Sequence, residues 1–339
     1  MIFLRKILFP LAILYGWITQ LRNFLYDKGI LKSFAFDIPV IAVGNLSVGG
    51  TGKTPQIEYL IRLLSKENSV ATLSRGYKRE SKGFLLANEL SSAASLGDEP
   101  YQMHLKFPDV QVAVDADRKN GIEQLLTQKI KPQIIVLDDA FQHRRVRAGF
   151  YILLTTFDEL YVDDYMLPTG NLRESSSGAR RADIIIVTKC PATISEADRK
   201  KVKDKLKTNA PLFFSTVSYD DSVYSLASSL KVDELRSMSK LLVAGIAKPK
   251  PFFAYLQNDS DEIMVFPDHH QFTESDVASM VKSAGNNPII TTEKDFVRLR
   301  EHQLSSPLFY LPIKTTLIAD GDQLDQIILN YVGKSTRNR

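Results

Sequence analysis

A glycine-rich segment near residue 50 carries the residue types that bind nucleotide phosphates. Residues 44–55 read GNLSVGGTGKTP, the spacing of a G-x-x-x-x-G-K-[ST] phosphate loop in which serine replaces the first glycine. Glycines let backbone N–H groups converge on phosphate oxygens, the lysine reaches the β- and γ-phosphates, and the threonine binds Mg²⁺. The segment therefore predicts a nucleoside triphosphate site. Its residues are Ser47, Gly49, Gly50, Thr51, Gly52, Lys53 and Thr54.

Two adjacent carboxylates follow an apolar run further along the chain. Residues 134–139 read IIVLDD, the pattern of a buried strand that ends at a magnesium-binding aspartate. Asp138 is the expected magnesium ligand, directly or through water. Apolar strands commonly end in aspartate, so a solvated turn is the alternative. The glycine-rich segment and this carboxylate in their usual order favour a Mg²⁺-nucleotide site.

A regular alternation of elements must position these residues. Short apolar runs alternate with amphipathic segments, which is typical of βαβ units, and near-continuous Ile/Val/Leu runs indicate parallel strands covered on both faces. The predicted strands are 38–43, 70–73, 110–114, 134–137, 151–154 and 184–187. Helical spacing recurs near 57–64, 122–126 and 195–206. The prediction is an α/β fold of the P-loop type, with a mostly parallel sheet flanked by helices.

Four segments are predicted. Residues 1–34 form a membrane-associated helix with a basic flank, and residues 35–212 form the nucleotide-binding domain. Residues 213–226 read as strand, Asp-Asp turn and strand, so they predict a hairpin linker. Residues 227–335 repeat the βα pattern and predict a smaller α/β lobe that closes over the active site. Its predicted strands are 241–246, 262–266, 288–292 and 308–311, with helices near 250–257, 274–284 and 320–331.

The N-terminus combines apolar and basic residues. Residues 1–34 carry five basic side chains and one acidic one, whereas the rest of the chain is balanced. The run from 7 to 18, ILFPLAILYGWI, is too short for a comfortable spanning helix, and no small-residue cleavage site follows it. Tyr15 and Trp17 favour the headgroup level, which predicts a peripheral or shallowly inserted helix on an anionic membrane surface. A buried core helix is the alternative.

Composition excludes several classes of protein. A single cysteine, Cys190, forms no intramolecular disulfide and offers no zinc-like cluster, so we expect the chemistry to face the cytoplasm. The balanced charge of the main part argues against nucleic-acid binding. Val48 stands where a partitioning ATPase carries its signature lysine, and residues 188–191, TKCP, lack the aspartate that reads guanine. A regulatory or metallochaperone ATPase, or a structural membrane protein with a vestigial nucleotide site, remains as the alternative.

The chain resembles a known family over nearly its whole length: the tetraacyldisaccharide 4′-kinases of lipid A biosynthesis in Gram-negative bacteria. The residues that carry the resemblance are GNL at 44–46, GGTGKTP at 49–55, SRGY at 74–77, GDEP at 97–100, DDAFQH at 138–143, LPTGNLRE at 167–174, RAD at 181–183, GIA at 245–247, FPDH at 266–269 and TEKD at 292–295. Ala140, Asn171 and Ser175 depart from the usual family residues, which affects loop rigidity more than chemistry.

The resemblance implies transfer of the ATP γ-phosphate to the 4′-hydroxyl of a tetraacyldisaccharide 1-phosphate, with Mg²⁺ as cofactor. The substrate is lipid-linked, the expected location is the cytoplasmic face of the inner membrane, and no protein partner is required. Asp98 is implied as the catalytic base and His269 as the residue that orients it, with lobe closure bringing the two together. From the residues alone, Asp98 could instead cap a helix and His269 could belong to a surface turn.

Other side chains are expected to complete the site. Glu99 is a candidate for the magnesium shell, and Gln142 and His143 extend the site beyond the acidic pair. A guanidinium binds phosphate bidentately, so arginines are candidates for the phosphate that the substrate already carries. These candidates are Arg75, Arg118 and Arg173.

Overall fold

A computed structural model of the protein describes residue 5, residues 7–268 and residues 270–337. The strands are β1 (Val40–Asn45), β2 (Val70–Ser74), β3 (Leu85–Leu86), β4 (Gln111–Val114), β5 (Ile134–Asp138), β6 (Phe150–Thr156), β7 (Ile184–Thr188), β8 (Leu212–Tyr219), β9 (Ser222–Tyr224), β10 (Ser229–Lys231), β11 (Leu241–Ala244), β12 (Glu262–Val265), β13 (Ile289–Thr292), β14 (Leu308–Leu311) and β15 (Ile313–Leu317). The helices are α1 (Phe9–Asp27), α2 (Lys53–Leu64), α3 (Ala93–Leu96), α4 (Asp98–Lys106), α5 (Arg118–Leu126), α6 (Glu196–Leu206), α7 (Val232–Arg236), α8 (Lys250–Leu256), α9 (Glu274–Ala284), α10 (Glu293–Leu299) and α11 (Gly321–Arg337).

The larger sheet contains nine strands in the order β15-β8-β7-β6-β1-β5-β2-β4-β3. Only its edge strands, β3 and β15, pair antiparallel. Every residue of β1 and β7 is buried, as expected for strands covered on both faces. Helices α2 and α11 pack on one face and α5 on the other. The predicted mostly parallel α/β fold is confirmed.

Strand order places the two predicted halves of the nucleotide site side by side. Strands β1 and β5 are parallel neighbours, with Val43 opposite Asp138. The glycine-rich loop leaves the carboxyl end of β1, and the acidic pair lies at the same end of β5. Strands β6 and β5 flank β1 on opposite sides, so the chain reverses its direction of winding here, where open α/β sheets bind ligands.

A second sheet of six strands has the order β10-β9-β14-β13-β11-β12. Strands β14, β13, β11 and β12 are parallel, and α8 and α9 supply apolar residues to the cores on its two faces. The predicted second βα series therefore forms a sheet of its own.

The connections between the sheets differ from the prediction. Strand β8 pairs with β7 and β15 in the larger sheet, whereas β9 pairs with β10 and β14 in the smaller one. Residues 213–226 therefore do not form a hairpin: the Asp-Asp turn separates strands of two sheets. Residues 313–337 return to the first domain, because β15 pairs with β8 and α11 buries Leu324 and Ile328 against the larger sheet. The smaller lobe thus ends before β15, rather than at residue 335.

Helix α1 lies against the larger domain along one narrow side. Ala12, Gly16 and Thr19 are buried, and the Tyr15 hydroxyl donates to the backbone oxygen of Arg173 at 3.0 Å. The opposite face is apolar and exposed. It comprises Phe9, Leu11, Ile13, Leu14, Trp17, Ile18, Leu21 and Phe24. Within the described part of the chain, no helix has both the length and the apolar character required to span a bilayer.

Phe141 packs so closely against Gly44 that the site has no room for a side chain. A Cβ atom added there would lie 2.7 Å from the Cβ atom and 2.9 Å from the backbone nitrogen of Phe141. Because that backbone cannot move cheaply, Gly44→Ala should lower the free energy of unfolding by about 1–3 kcal/mol. Gly16→Ala is the control, since its new methyl would meet only Met166, at 3.7 Å. Equal urea midpoints for wild type and Gly44→Ala would contradict the prediction.

Candidate active site

The phosphate loop occupies residues 46–52, between β1 and α2. Gly49 and Gly52 adopt positive φ angles of 111° and 84°, which favour glycine. Gly52 occupies the N-cap position of α2 and no side chain caps the helix, so its first N–H groups can bind an anion. Two hydrogen bonds to neighbouring segments fix the loop. The Val48 nitrogen donates to the Asn171 oxygen at 2.8 Å, and the Thr188 hydroxyl donates to the Thr51 oxygen at 2.8 Å.

Lys53 begins α2 and extends its ammonium group beside the loop. Its Nζ atom donates to Oδ1 of Asn45 at 3.3 Å and lies 3.7 Å from Oδ1 of Asp139. A cation at this position can reach the β- and γ-phosphates of a nucleotide, as the sequence predicts.

The two aspartates at the end of β5 have different environments. Arg173 binds the carboxylate of Asp139 through both of its terminal nitrogens, at 3.0 and 2.8 Å. Although burial opposes the effect, these hydrogen bonds and the charge of Lys53 lower the pKa of Asp139. Burial and then the neighbouring charge of Asp139 raise the pKa of Asp138 to about 6. Asp139 is therefore an ion-paired carboxylate, whereas Asp138 forms no ion pair with any residue that the structure describes.

The donor set at Asp138 fits Mg²⁺. Its Oδ1 atom is buried and has no hydrogen-bond partner in the described part of the chain. Among these residues, no three His, Cys, Asp or Glu side chains form a protein-only metal cluster. Mg²⁺ commonly uses one or two carboxylates together with water and substrate phosphates, so a single unpartnered carboxylate beside a phosphate loop suffices. Thr54 lies in the first turn of α2, and the negative charge of Glu99 acts on Asp138.

Asp98 and Glu99 begin α4 and face α10 of the smaller lobe. The N-cap of α4 is Gly97, so Asp98 is not the cap that its turn sequence could have provided. Arg298 binds both carboxylate oxygens of Asp98, and Lys294 binds Glu99 at 2.9 Å. The predicted base therefore lies where the two lobes meet.

The predicted partner of Asp98, His269, lies outside the described residues. The adjacent His270 bonds Asp276 at 3.0 Å and stacks on Phe266, with ring centroids 4.9 Å apart.

The three candidate arginines occupy different positions. Arg118 is only 3% exposed and donates to the backbone oxygens of Asp115 and Asp138, so in this arrangement it supports the end of β5. Burial lowers the pKa of Arg118 to about 10. Arg173 is engaged by Asp139 and Asn45 within the nucleotide site. Arg75 is exposed, and its guanidinium is the one of the three that forms no side-chain hydrogen bond or ion pair with another described residue.

Gln142 and His143 extend the site on the side of α1. Gln142 Nε2 donates to the Asn45 oxygen at 2.8 Å and to Glu174 at 2.9 Å. Burial, with the charge of Arg118, lowers the pKa of His143 to about 4, so its imidazole is neutral at pH 7. Glu174 is fully buried and also binds Arg181 at 2.8 Å and Asn23 of α1 at 2.8 Å.

Sequence reasoning assigned no role to Asn45, Glu174, Lys294 or Arg298. Asn45 accepts from Lys53 and Arg173, and Glu174 connects Gln142, Arg181 and α1. All four belong to segments that carry the family resemblance or adjoin them. The family motifs could therefore have identified these residues as candidates, but they could not have predicted which residues bind each other.

A buried group of charges joins the lobes beside Asp98. Lys106 of α4 lies 2.6 Å from Glu58 of α2 and 2.6 Å from Glu293 of α10. Burial, followed by the charge of Glu58, raises the pKa of Glu293 to about 7. Because the folded protein holds this proton more tightly than the unfolded chain, the contribution of Glu293 to stability is present below about pH 4.5. It is lost as the pH rises through about 7.

Glu293→Gln should therefore stabilise the protein at pH 8, by about 1–3 kcal/mol, because it removes a buried like-charge contact. The free energy of unfolding should also fall less steeply between pH 5 and 8 than in wild type. Glu301→Gln, at an exposed position just beyond α10, is the control. Parallel pH profiles from urea titrations of wild type and Glu293→Gln would contradict this assignment.

Comparisons with known proteins identify the family. The sequence profile described as LpxK, tetraacyldisaccharide-1-P 4′-kinase, matches residues 4–333. The chain belongs to the tetraacyldisaccharide 4′-kinase family. A tetraacyldisaccharide 4′-kinase from Flavobacterium johnsoniae is 62% identical over 331 residues, which cover 97% of each chain. One from Bacteroides thetaiotaomicron is 44% identical over 361 residues, covering 99% of this chain and 95% of the relative.

A solved structure is also similar. The crystal structure of the "apo" form of LpxK from Aquifex aeolicus in complex with ATP has a TM-score of 0.79 and 34% sequence identity. The match covers 97% of this chain and 99% of that chain. These findings confirm the α/β fold and the tetraacyldisaccharide 4′-kinase family predicted from the sequence. They do not favour the regulatory or metallochaperone ATPase.

Proposed function

We propose that the protein transfers the γ-phosphate of ATP to the 4′-hydroxyl of a tetraacyldisaccharide 1-phosphate, a step of lipid A biosynthesis. The observation that carries the proposal is the convergence, within a tetraacyldisaccharide 4′-kinase chain, of three features at one sheet edge. These are a phosphate loop that leads into the uncapped helix α2, Lys53, and an acidic pair in which Asp139 alone is ion-paired within the described part of the chain.

The chain's own groups divide the work of phosphoryl transfer. The N–H groups of the loop and Lys53 bind the phosphates and offset the negative charge that develops on them. Asp98 accepts the proton of the 4′-hydroxyl as that oxygen bonds to the γ-phosphorus. The bond from this phosphorus to the β,γ-bridging oxygen breaks, and ADP leaves. Asp138, Thr54 and Glu99 would hold Mg²⁺, which neutralises phosphate charge and aligns the triphosphate when bound.

Contacts between the lobes support closure as part of the mechanism. Asp98 and Glu99 belong to the nucleotide-binding domain, and their cationic partners Arg298 and Lys294 belong to the smaller lobe. When a catalytic base lies at a lobe boundary, its surroundings are complete only after the lobes approach each other. Substrate binding is then coupled to assembly of the catalytic site. We include His269 in this proposal as the residue that orients Asp98. Arg75, exposed and unpaired among the described residues, is the proposed contact for the phosphate on the substrate.

The exposed face of α1 supports attachment to a membrane surface. Its apolar side chains include Trp17, which is 70% exposed, and basic residues flank the helix. This arrangement is typical of an interfacial helix, and it would place the site at the cytoplasmic face of the inner membrane beside a lipid-linked substrate.

The attachment can be tested with matched serine variants. Ile18→Ser with Leu21→Ser should weaken binding to phospholipid vesicles by at least about tenfold, because both side chains leave the apolar face. Leu90→Ser with Ile130→Ser removes apolar side chains that are even more exposed, from positions elsewhere, and should leave vesicle binding unchanged. Equal losses in the two double variants, measured by vesicle sedimentation, would contradict a specific role for α1.

Dependence of ATP turnover on the acceptor tests the proposed reaction against the ATPase alternative. In detergent micelles without the acceptor, the rate of ADP formation should be low. It should rise when tetraacyldisaccharide 1-phosphate is added, with one phosphorylated lipid formed per ADP. A rate of ADP formation that does not respond to the lipid would instead support a regulatory ATPase.

A further inference from the structure

A cavity of about 640 Å³ lies at the carboxyl end of α1, outside the site described above. Its walls come from the end of α1, the segment that follows it, the loop before β6, the start of β6, and the segment before β7. The residues that line it are Tyr26, Asp27, Gly29, Leu31, Lys32, Ser33, Phe34, Arg144, Arg147, Tyr151 and Arg181. The cavity thus joins the first predicted segment to the nucleotide-binding domain, and no role follows for it from phosphoryl transfer.

The lining is strongly basic. It contains Lys32, Arg144, Arg147 and Arg181, against the single carboxylate of Asp27. Asp27 is already paired twice, with Arg144 at 2.6 Å and with Arg180 at 2.7 Å.

The other cations of the lining differ in their pairing. Arg181 is paired with Glu174. Lys32 and Arg147 are exposed and form no side-chain hydrogen bond or ion pair with another described residue. Lys32 and Arg147 are therefore available to bind a ligand, whereas the other charged side chains of the cavity already form ion pairs.

The cavity lies further along α1 than the contact of this helix with Arg173 of the nucleotide site, although its Arg181 shares Glu174 with Gln142 of that site. Tyr15 of α1 contacts the backbone of Arg173 in the nucleotide site, and Asp27 follows twelve residues later on the same helix. At 1.5 Å per residue, the separation along α1 is about 18 Å. An anion bound here would not be a nucleotide phosphate in the catalytic site.

The surroundings indicate which anion fits. The exposed apolar face of α1 continues through Leu21 and Phe24, and Ile30 and Leu31 remain exposed beside the cavity, with Ile30 at 65%. An apolar face that enters the acyl region would bring the adjacent cations to the depth of lipid phosphates. Charge and position therefore both favour a phosphate that is attached to a lipid.

We propose that this cavity binds the phosphodiester headgroup of an anionic phospholipid, with Lys32 and Arg147 as its direct contacts. We call it the headgroup cavity. The inference rests on the proposed attachment of α1 to the membrane. It adds a defined anion site to a helix whose other membrane contacts are its apolar face and its basic flanks. Occupied, the cavity would fix how the enzyme lies on the bilayer.

The test uses the full-length protein and a soluble probe, dihexanoyl phosphatidylglycerol below its micelle concentration, measured by isothermal titration calorimetry. Wild type should bind one molecule saturably and should not bind dihexanoyl phosphatidylcholine. Lys32→Ala with Arg147→Ala should weaken binding by about tenfold or more, because each cation contributes to binding an anionic headgroup. Lys129→Ala with Lys200→Ala removes the same charge from exposed positions outside both the cavity and α1, and should bind as wild type.

Three results would overturn the headgroup cavity. Absence of saturable binding to wild type would show that there is no site. Equal weakening in the two double variants would show that only diffuse charge matters. The third result concerns the variant Lys32→Ala with Arg147→Ala. If its KM for tetraacyldisaccharide 1-phosphate rose in neutral micelles while its binding of phosphatidylglycerol was unchanged, the cavity would be assigned to the substrate's own phosphate. The titration requires no turnover, so it can succeed or fail independently of the proposed kinase reaction.

Discussion

Replacing Lys53 by alanine is expected to lower kcat by about 10²–10³-fold, the usual effect of removing one group that stabilises transition-state charge. The ammonium group lies 3.7 Å from Asp139 and beside the phosphate loop, so its loss removes a cation that can offset the charge developing on the γ-phosphate. The measurement is transfer of labelled phosphate from Mg-ATP to the lipid acceptor under saturating conditions.

Lys66→Ala is the matched control, because this exposed lysine follows α2 and lies outside the site. It should leave kcat within about twofold and should unfold at the wild-type urea midpoint, since exposed substitutions usually change stability little. A Lys53→Ala enzyme that keeps wild-type kcat would contradict the assignment of the loop as the catalytic phosphate site.

Replacing Asp98 by asparagine is expected to lower kcat by about 10²–10⁴-fold, the range for loss of a general base, with little change in KM for ATP. Asparagine keeps the shape of the side chain and one acceptor for Arg298, so it tests proton acceptance with the smallest disturbance of the lobe contact. Asp98→Ala is less informative because it removes both hydrogen bonds that the buried guanidinium of Arg298 makes to this side chain.

Asp109→Asn, at an exposed position shortly after α4, provides the control and should retain full activity. If Asp98→Asn lowered kcat no more than Asp109→Asn did, another group would have to accept the hydroxyl proton. A large rise in KM for ATP without a loss of kcat would assign Asp98 to nucleotide binding instead.

Local patterns predicted much of this fold because the central strands of the larger sheet are almost entirely buried. The runs at 134–137 and 184–187 became β5 and β7 with almost unchanged bounds, since a strand covered on both faces must be apolar throughout. The phosphate loop was equally predictable, because positive φ angles at Gly49 and Gly52 leave a direct trace in the sequence.

Contacts between segments that are distant along the chain could not be predicted from local sequence patterns. The Asp220-Asp221 turn was recognisable, but a turn does not reveal that the strands on its two sides join different sheets. The final strand and helix read as part of the second lobe because they follow it in sequence, whereas their apolar residues pack on the first.

The candidate site shows the same limit. Arg118 and Arg173 were both expected to bind a substrate phosphate, a role that their residue type suggests. In the structure Arg118 is buried beneath Asp138, and Arg173 is paired with Asp139. The link from Arg298 to Asp98 spans two hundred residues, so composition and spacing could not reveal it.

The position of the transferred phosphate tests the central claim most directly. After incubation of tetraacyldisaccharide 1-phosphate with γ-labelled Mg-ATP, the labelled lipid can be purified and the attachment site determined by ³¹P–¹H correlation spectroscopy. We predict a new monoester coupled to the proton at the 4′-carbon, formed by wild type and reduced to trace amounts with Lys53→Ala. Label on the existing 1-phosphate, or release of inorganic phosphate with no labelled lipid, would contradict the account.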